Sequence, residues 1–183
     1  MISILIAVTM ASMIPVHRGG DTDLISAPYL QIGPDPAPGK LDLCWQTYDS
    51  TGWEPAYRIS PSGAWINAKA SATHAITLAG TRPRYLHIAQ MDRLVPGSTF
   101  SYHLVHRGTE IFTTDARAPQ SGDRHTRFVA MGDIGAGSRE AKLIAGLAWK
   151  QKPDYVVIPG DIVYDRGRVS EYDDNFWPVY NAD

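Results

Sequence analysis

Two stretches of the sequence, RFVAMGDIGAG (residues 127–137) and VVIPGDIVYDRG (residues 156–167), follow the same plan. Each opens with an apolar run typical of a buried strand. Each run then ends in a Gly-Asp pair, with Asp133 in the first stretch and Asp161 in the second. A carboxylate next to a buried strand is costly unless its charge is compensated. The repeated pair therefore points to a common role for the two strand ends.

The segment between the two strands has the periodicity of a helix. SREAKLIAGLAWKQK (residues 138–152) begins with Ser138, a residue type favoured at the N-cap. Four of its apolar residues share one face: Ala141, Ile144, Leu147 and Ala148. Strand 125–131, this helix and strand 155–158 together predict a βαβ unit with two parallel strands and a right-handed crossover.

The βαβ prediction brings the two aspartates together. Parallel strands end at the same edge of a sheet and lie about 4.8 Å apart, so Asp133 and Asp161 are expected within a few ångströms of each other. Two carboxylates at so short a distance repel each other unless a cation lies between them. Two metal ions roughly 3.5–4 Å apart fit this spacing. Tyr164 is three residues after Asp161, so the loop can fold back and place its phenolate oxygen on the same metal. The glycines are expected to allow a sharp backbone turn and the close approach of another group.

Other interpretations of these motifs remain. Each aspartate alone is typical of a turn or a helix cap. The glycines of GDIGAG (residues 132–137) precede a helix, as in a nucleotide-binding loop. Their order is GxxGxG rather than GxGxxG, and Asp133 inside the loop would repel a pyrophosphate.

Residues 26–117 have the pattern of an all-β domain, with short apolar or alternating runs separated by turn residues. The predicted strands are 27–33, 40–47, 55–60, 64–69, 74–80, 85–91, 99–106 and 110–116. Strands at this spacing predict a sandwich. Leu41, Leu43 and Trp45 share one face of their strand, so Trp45 is expected in the core. The alternative for Trp45 is a ligand-stacking platform.

Composition excludes several classes of protein. The 183 residues are 44% hydrophobic and 20% charged, with a net charge of −2 and no basic run. These values are typical of a globular protein and give no reason to expect a nucleic-acid partner. The single cysteine, Cys44, rules out an internal disulfide and zinc-finger spacing. We expect it to be a small buried hydrophobic residue, with a catalytic nucleophile as the alternative.

The amino-terminal residues are predicted to be an export leader. Residues 2–14 are almost wholly apolar. They are too short for a comfortable membrane span but match the apolar region of a signal peptide, so we expect a leader over residues 1–25 and a periplasmic or extracellular location. No Lys or Arg precedes the run, and an apolar strand or a misassigned start are the alternatives.

The motifs GDIG (residues 132–135) and GDIVY (residues 160–164) resemble the first two metal-binding blocks of the purple acid phosphatases, in the calcineurin-like metallophosphoesterase superfamily. Residues 26–117 resemble the fibronectin type III domain that precedes the catalytic domain in this family. Trp45 and LVPGSTFSY (residues 94–102) carry that second resemblance, although Phe100 stands where the family places a corner tyrosine. DARAPQSGDRH (residues 115–125) is a polar linker, which places the domain boundary near residue 118. Residues 124–183 would be the start of the metallophosphoesterase domain.

The resemblance implies a secreted acid phosphatase in which a metal-bound hydroxide attacks a phosphate monoester. It implies a centre of Fe(III) with divalent Fe, Zn or Mn. Asp133 and Tyr164 would bind the ferric ion, and Asp161 would bridge the two metals.

The family completes its centre with an Asn-His block and two later His blocks, but this sequence has no histidine after His125. We therefore expect the amino-terminal part of a longer enzyme, inactive by itself. The alternative is a non-catalytic fibronectin-like binding module with an inert α/β remnant.

Overall fold

The computed structural model describes residues 23–122 and 125–181. The first range contains eight strands: β1 (Leu24–Gln31), β2 (Leu41–Thr47), β3 (Trp53–Arg58), β4 (Ile66–Asn67), β5 (Lys69–Ile76), β6 (Arg84–Met91), β7 (Thr99–His106) and β8 (Thr109–Arg117). Each of the eight predicted strands overlaps one of them, although β5 begins at Lys69 rather than at the predicted residue 74. The apolar residues 2–14, on which the leader prediction rests, lie outside the described residues.

The eight strands form two four-stranded antiparallel sheets. Their orders are β1-β2-β6-β5 and β4-β3-β7-β8. Both sheets contribute to one apolar core, in which Leu43 and Trp45 of the first sheet join Tyr57, Phe100 and Leu104 of the second. The fold is therefore mostly β-sheet and compatible with a β-sandwich.

Strand β2 shows where the two-residue period holds and where it does not. Leu41, Leu43 and Trp45 are buried, as predicted from their shared face. The alternate residue Cys44 is buried as well. Cys44 pairs with Tyr29 on β1, and the Tyr29 ring contacts Trp177 from the far end of the chain. Cys44 therefore lies beside a β1 residue that packs against the far end of the chain, a contact that sequence spacing does not reveal.

The second range contains a small parallel unit. Strands β9 (Phe128–Ala130) and β10 (Tyr155–Val157) pair in parallel, and helix α1 (Arg139–Lys150) connects them. The side chain of Ser138 accepts a hydrogen bond from the backbone N–H of Ala141, which confirms the predicted N-cap. These elements fall within the ranges predicted for strand, helix and strand.

A helical segment completes the described chain. It consists of α2 (Val169–Glu171), a π-helical turn (Tyr172–Phe176) and α3 (Trp177–Tyr180), and is called segment 169–180 below. Phe176 packs into a second apolar cluster with Ile134 and Val163, which follow β9 and β10. Segment 169–180 therefore supports the two loops in which the predicted site lies.

The apolar face predicted for α1 is only partly covered. Ala141 is buried, but Ile144 and Leu147 are 53% and 59% exposed, and Leu143 beside them is 58% exposed. The helical period was right, yet the described residues supply no layer over most of this face. Within residues 23–122 and 125–181, no helix has the length and apolar character needed to cross a membrane.

Candidate metal centre

The three predicted ligands lie together in two loops. Asp133 follows β9 and Asp161 follows β10, at the carboxyl ends of parallel strands. The Tyr164 hydroxyl lies 2.9 Å from Oδ2 of Asp161 and also contacts Oδ1 of Asp133. Asp133 and Asp161 are solvent-exposed and Tyr164 is half-buried, so the group faces the surface.

The backbone of both aspartates is unusual. Asp133 has a φ of 55° and Asp161 a φ of 52°, in the left-handed region. This conformation costs an L-residue roughly 1–2 kcal/mol, and such residues cluster at functional sites. The sharp turn was predicted at the glycines, and this detail was wrong. Gly132 and Gly160 do not adopt positive φ, and each loop turns at the aspartate itself.

Gly135 allows the two loops to approach each other closely. A Cβ at this position would lie 2.2 Å from Cα of Val163 and 2.6 Å from the Ile162 carbonyl oxygen. The backbone N–H of Ile134 donates to the Asp161 carbonyl at 3.1 Å across the same contact. Only a residue without a side chain lets the two loops meet, and their meeting brings the two carboxylates to one phenol.

The charges of the group are compatible with a bound cation. The Tyr164 hydroxyl has one proton, so it can donate to one carboxylate at a time. Its hydrogen bond to Asp133, followed by burial and its hydrogen bond to Asp161, raises the pKa of Tyr164 above its ordinary value. Without a cation the phenol is therefore a neutral donor between two anions. A metal ion would replace that proton and neutralise all three oxygens.

The donor set fits a hard cation. Two carboxylates and a phenol offer only oxygen, the ligand type preferred by hard metal ions. The described residues contain no group of three or more His, Cys, Asp or Glu side chains placed to hold a metal. The third donor here is a tyrosine, and three protein ligands fit one metal ion with part of the coordination of a second.

Two residues that the sequence did not single out support the Tyr164 loop. The Glu171 carboxylate accepts hydrogen bonds from the backbone N–H groups of Asp165 at 3.0 Å and Arg168 at 2.8 Å. Asn175 donates from Nδ2 to the Tyr164 carbonyl at 3.5 Å. Glu171 is three residues after Arg168, where a helix begins, but arginine is not an N-cap residue of a capping box, so no sequence pattern indicated Glu171. No local pattern indicated Asn175.

The nucleotide-loop alternative has less support than the metal site. Gly135 is occupied by its contact with Val163, and a Cβ at Gly137 would lie 2.6 Å from the Asn175 side chain. Packing within the chain therefore accounts for both glycines.

Cys44 is buried, and burial together with the nearby Asp42 raises the pKa of its thiol to about 12. A thiol in that state is a poor nucleophile. Its surroundings agree with the expected role as a small hydrophobic residue.

Comparisons with known proteins do not supply a family. No family model matches the sequence, and the search of curated proteins found no match. Among solved structures, the chain is similar to Astrotactin-2, a conserved vertebrate-specific and perforin-like membrane protein involved in neuronal development, with a TM-score of 0.32 and 14% identity. The match covers 69% of this chain and 25% of that chain. Similarity this weak carries no argument about function.

Proposed function

We propose that this chain carries the first part of the binuclear metal centre of a phosphoesterase of the purple acid phosphatase type. The observation that carries the proposal is the convergence of Asp133, Asp161 and Tyr164 where two parallel strands end. The all-oxygen donor set suits Fe(III), and the exposed position would admit a phosphate ester.

The arrangement of the two larger sheets also supports the proposal. Labelled A, B, C, C′, D, E, F and G along the chain, the strands have the orders A-B-E-D and C′-C-F-G, the pattern of immunoglobulin-like sandwiches. A fibronectin type III-like domain of this kind precedes the catalytic domain in the resembled family. The Tyr102 hydroxyl donates to the Pro28 carbonyl at 3.5 Å across the core, so it forms a different bond from that of a corner tyrosine.

Each residue has a separate role in this proposal. Asp133 and Tyr164 would hold the ferric ion, and Asp161 would be the ligand shared with the divalent Fe, Zn or Mn ion. When bound, such a centre activates a nucleophile and neutralises charge that develops on the phosphoryl group. The chain itself keeps the ligands in register through the close approach at Gly135 and the hydrogen bond from Ile134 to Asp161.

The proposed activity needs ligands beyond these three. An Asn-His block and two His blocks complete the centre in the resembled family, and this sequence has no histidine after His125. The 183-residue chain is expected to bind iron weakly and not to hydrolyse phosphate monoesters. Export to the periplasm or the extracellular space remains part of the proposal and rests on residues 2–14.

The test is Fe(III) binding by the purified chain, followed by absorption spectroscopy and metal analysis. A phenolate bound to Fe(III) gives a visible charge-transfer band, so the wild-type chain is expected to develop one at high iron concentration. Tyr164→Phe should abolish the band even where iron remains. Asp161→Asn should reduce the bound iron itself, because it removes charge at the position shared by both metals.

Tyr155→Phe is the matched control, since Tyr155 lies on β10 and stacks on Phe128 away from the ligand group. It should keep the band. A wild-type chain without a band at saturating iron, or a Tyr164→Phe chain that retains both iron and band, would refute the proposal. Robust hydrolysis of an aryl phosphate by the metal-loaded chain would contradict the expectation that its ligand set is too incomplete for catalysis. If the chain binds no iron in any of these assays, the alternative of a non-catalytic fibronectin-like binding module is favoured.

A further inference from the structure

An ion pair joins the β-sandwich to segment 169–180. Arg84, the first residue of β6, donates from Nη1 to Oδ1 of Asp173 at 3.0 Å and from Nη2 to Oδ2 at 2.8 Å. Only 11% of the Arg84 side chain and 30% of the Asp173 side chain are exposed. A bidentate ion pair of this kind fixes the relative orientation of the two side chains as well as their distance. Partial burial protects the pair from screening by salt.

A ring contact lies beside the ion pair. Tyr29 of β1 packs against Trp177, with ring centroids 5.2 Å apart. Burial raises the pKa of the Tyr29 phenol, in agreement with a partly buried contact. The indole N–H of Trp177 is buried and has no hydrogen-bond partner among the described residues. Arg84–Asp173 is therefore the directional part of this contact, and the rings provide apolar area.

Segment 169–180 also holds the site loops. Two residues before Asp173, Glu171 accepts three backbone N–H groups of the loop after Tyr164, those of Asp165, Arg166 and Arg168. Two residues after Asp173, Asn175 donates to the Tyr164 carbonyl. The carboxylate that receives Arg84 thus lies between the two side chains that fix the Tyr164 loop.

We infer that the sandwich positions Tyr164 through the Arg84–Asp173 pair. The pair docks segment 169–180, and Glu171 and Asn175 transmit that position to the loop. Arg84 and Asp173 are positioning residues that do not touch the metal. The effect on the metal rests on the proposed function, whereas the effect on the loop does not.

The test compares loop protection with the spectrum of the iron-loaded chain. Asp173→Asn and Arg84→Gln should each speed hydrogen exchange at the Asp165, Arg166 and Arg168 amides by about tenfold or more, because either change leaves a partly buried charge unpaired. Exchange in β2 should not change, which shows that the sandwich remains folded. The phenolate band should weaken or shift in both variants. Arg84→Asp combined with Asp173→Arg should recover part of the protection.

Arg82→Gln is the matched control. Arg82, like Arg84, lies over the Tyr48 ring and forms an ion pair, but its partner is Asp23 of the sandwich itself, at 2.7 Å. This variant should exchange like the wild type. If Asp173→Asn and Arg84→Gln also leave the three amides at wild-type rates, the inference is overturned. Loop loosening in a chain whose wild type shows no band would support the positioning link and refute the metal centre.

Discussion

Replacing Gly135 with alanine tests whether contact between the two loops builds the site. The added Cβ would lie 2.2 Å from Val163 Cα, whereas ordinary contact begins near 3.4 Å, so the loops must separate by 3.4 − 2.2 = 1.2 Å. Forced repacking of this kind costs about 1–3 kcal/mol. Separation also breaks the hydrogen bond from Ile134 to Asp161, worth about 1 kcal/mol. We expect a local loss of about 2–4 kcal/mol.

Hydrogen exchange at the Ile134 amide measures this loss directly. A loss of about 2 kcal/mol corresponds to roughly 30-fold faster exchange, and a larger loss raises the rate until global unfolding limits it. Gly160→Ala is the control, because a Cβ at Gly160 meets no atom within 4 Å and the residue lacks positive φ. If Gly135→Ala exchanges at the rate of Gly160→Ala, the close approach is not what holds the loops together.

Two further predictions concern the two four-stranded sheets. Burial lowers the pKa of His87 in spite of the nearby Asp49, so the unfolded chain, with an ordinary histidine pKa near 6.5, binds the proton more readily. The free energy of unfolding should therefore fall as pH drops below about 6.5. Urea unfolding at pH 7 and pH 5 should show a smaller fall for His87→Gln than for the wild type. An equal fall in both chains would contradict the prediction. Residues 26–117 expressed alone should melt cooperatively with a β-rich circular dichroism spectrum, and a non-cooperative melt would show that they need the rest of the chain.

Much of the fold follows from local sequence signals. Turn residues divide residues 26–117 so regularly that all eight strands could be placed, and Ser138 marks the start of α1 correctly. The periodic pattern of apolar residues does not predict burial correctly where the residues that cover a strand or helix come from elsewhere in the chain. Cys44 is buried beside Tyr29, whose ring packs against Trp177 from the far end of the chain, while Leu147 is exposed because no described residue covers it.

The candidate site shows the same division. Asp133, Asp161 and Tyr164 could be grouped from the sequence because parallel strands end at one edge. The Arg84–Asp173 pair could not, since its partners are separated by 89 positions and neither belongs to a motif. The turn was assigned to glycine because glycine adopts positive φ most readily. A close approach at glycine was expected as well, but that Gly135 makes it against Val163 depends on a backbone that sequence does not reveal.

The left-handed backbone at Asp133 and Asp161 has a consequence for mutational scans of this protein. Asparagine and glycine tolerate that conformation, so they should preserve abundance while removing the negative charge. Glutamate retains the charge but has a longer side chain and little tendency to adopt positive φ, so it should reduce abundance. The usual ranking of conservative substitutions is then reversed at these two codons. A library scored for expression alone would report Asp→Asn as silent and Asp→Glu as harmful.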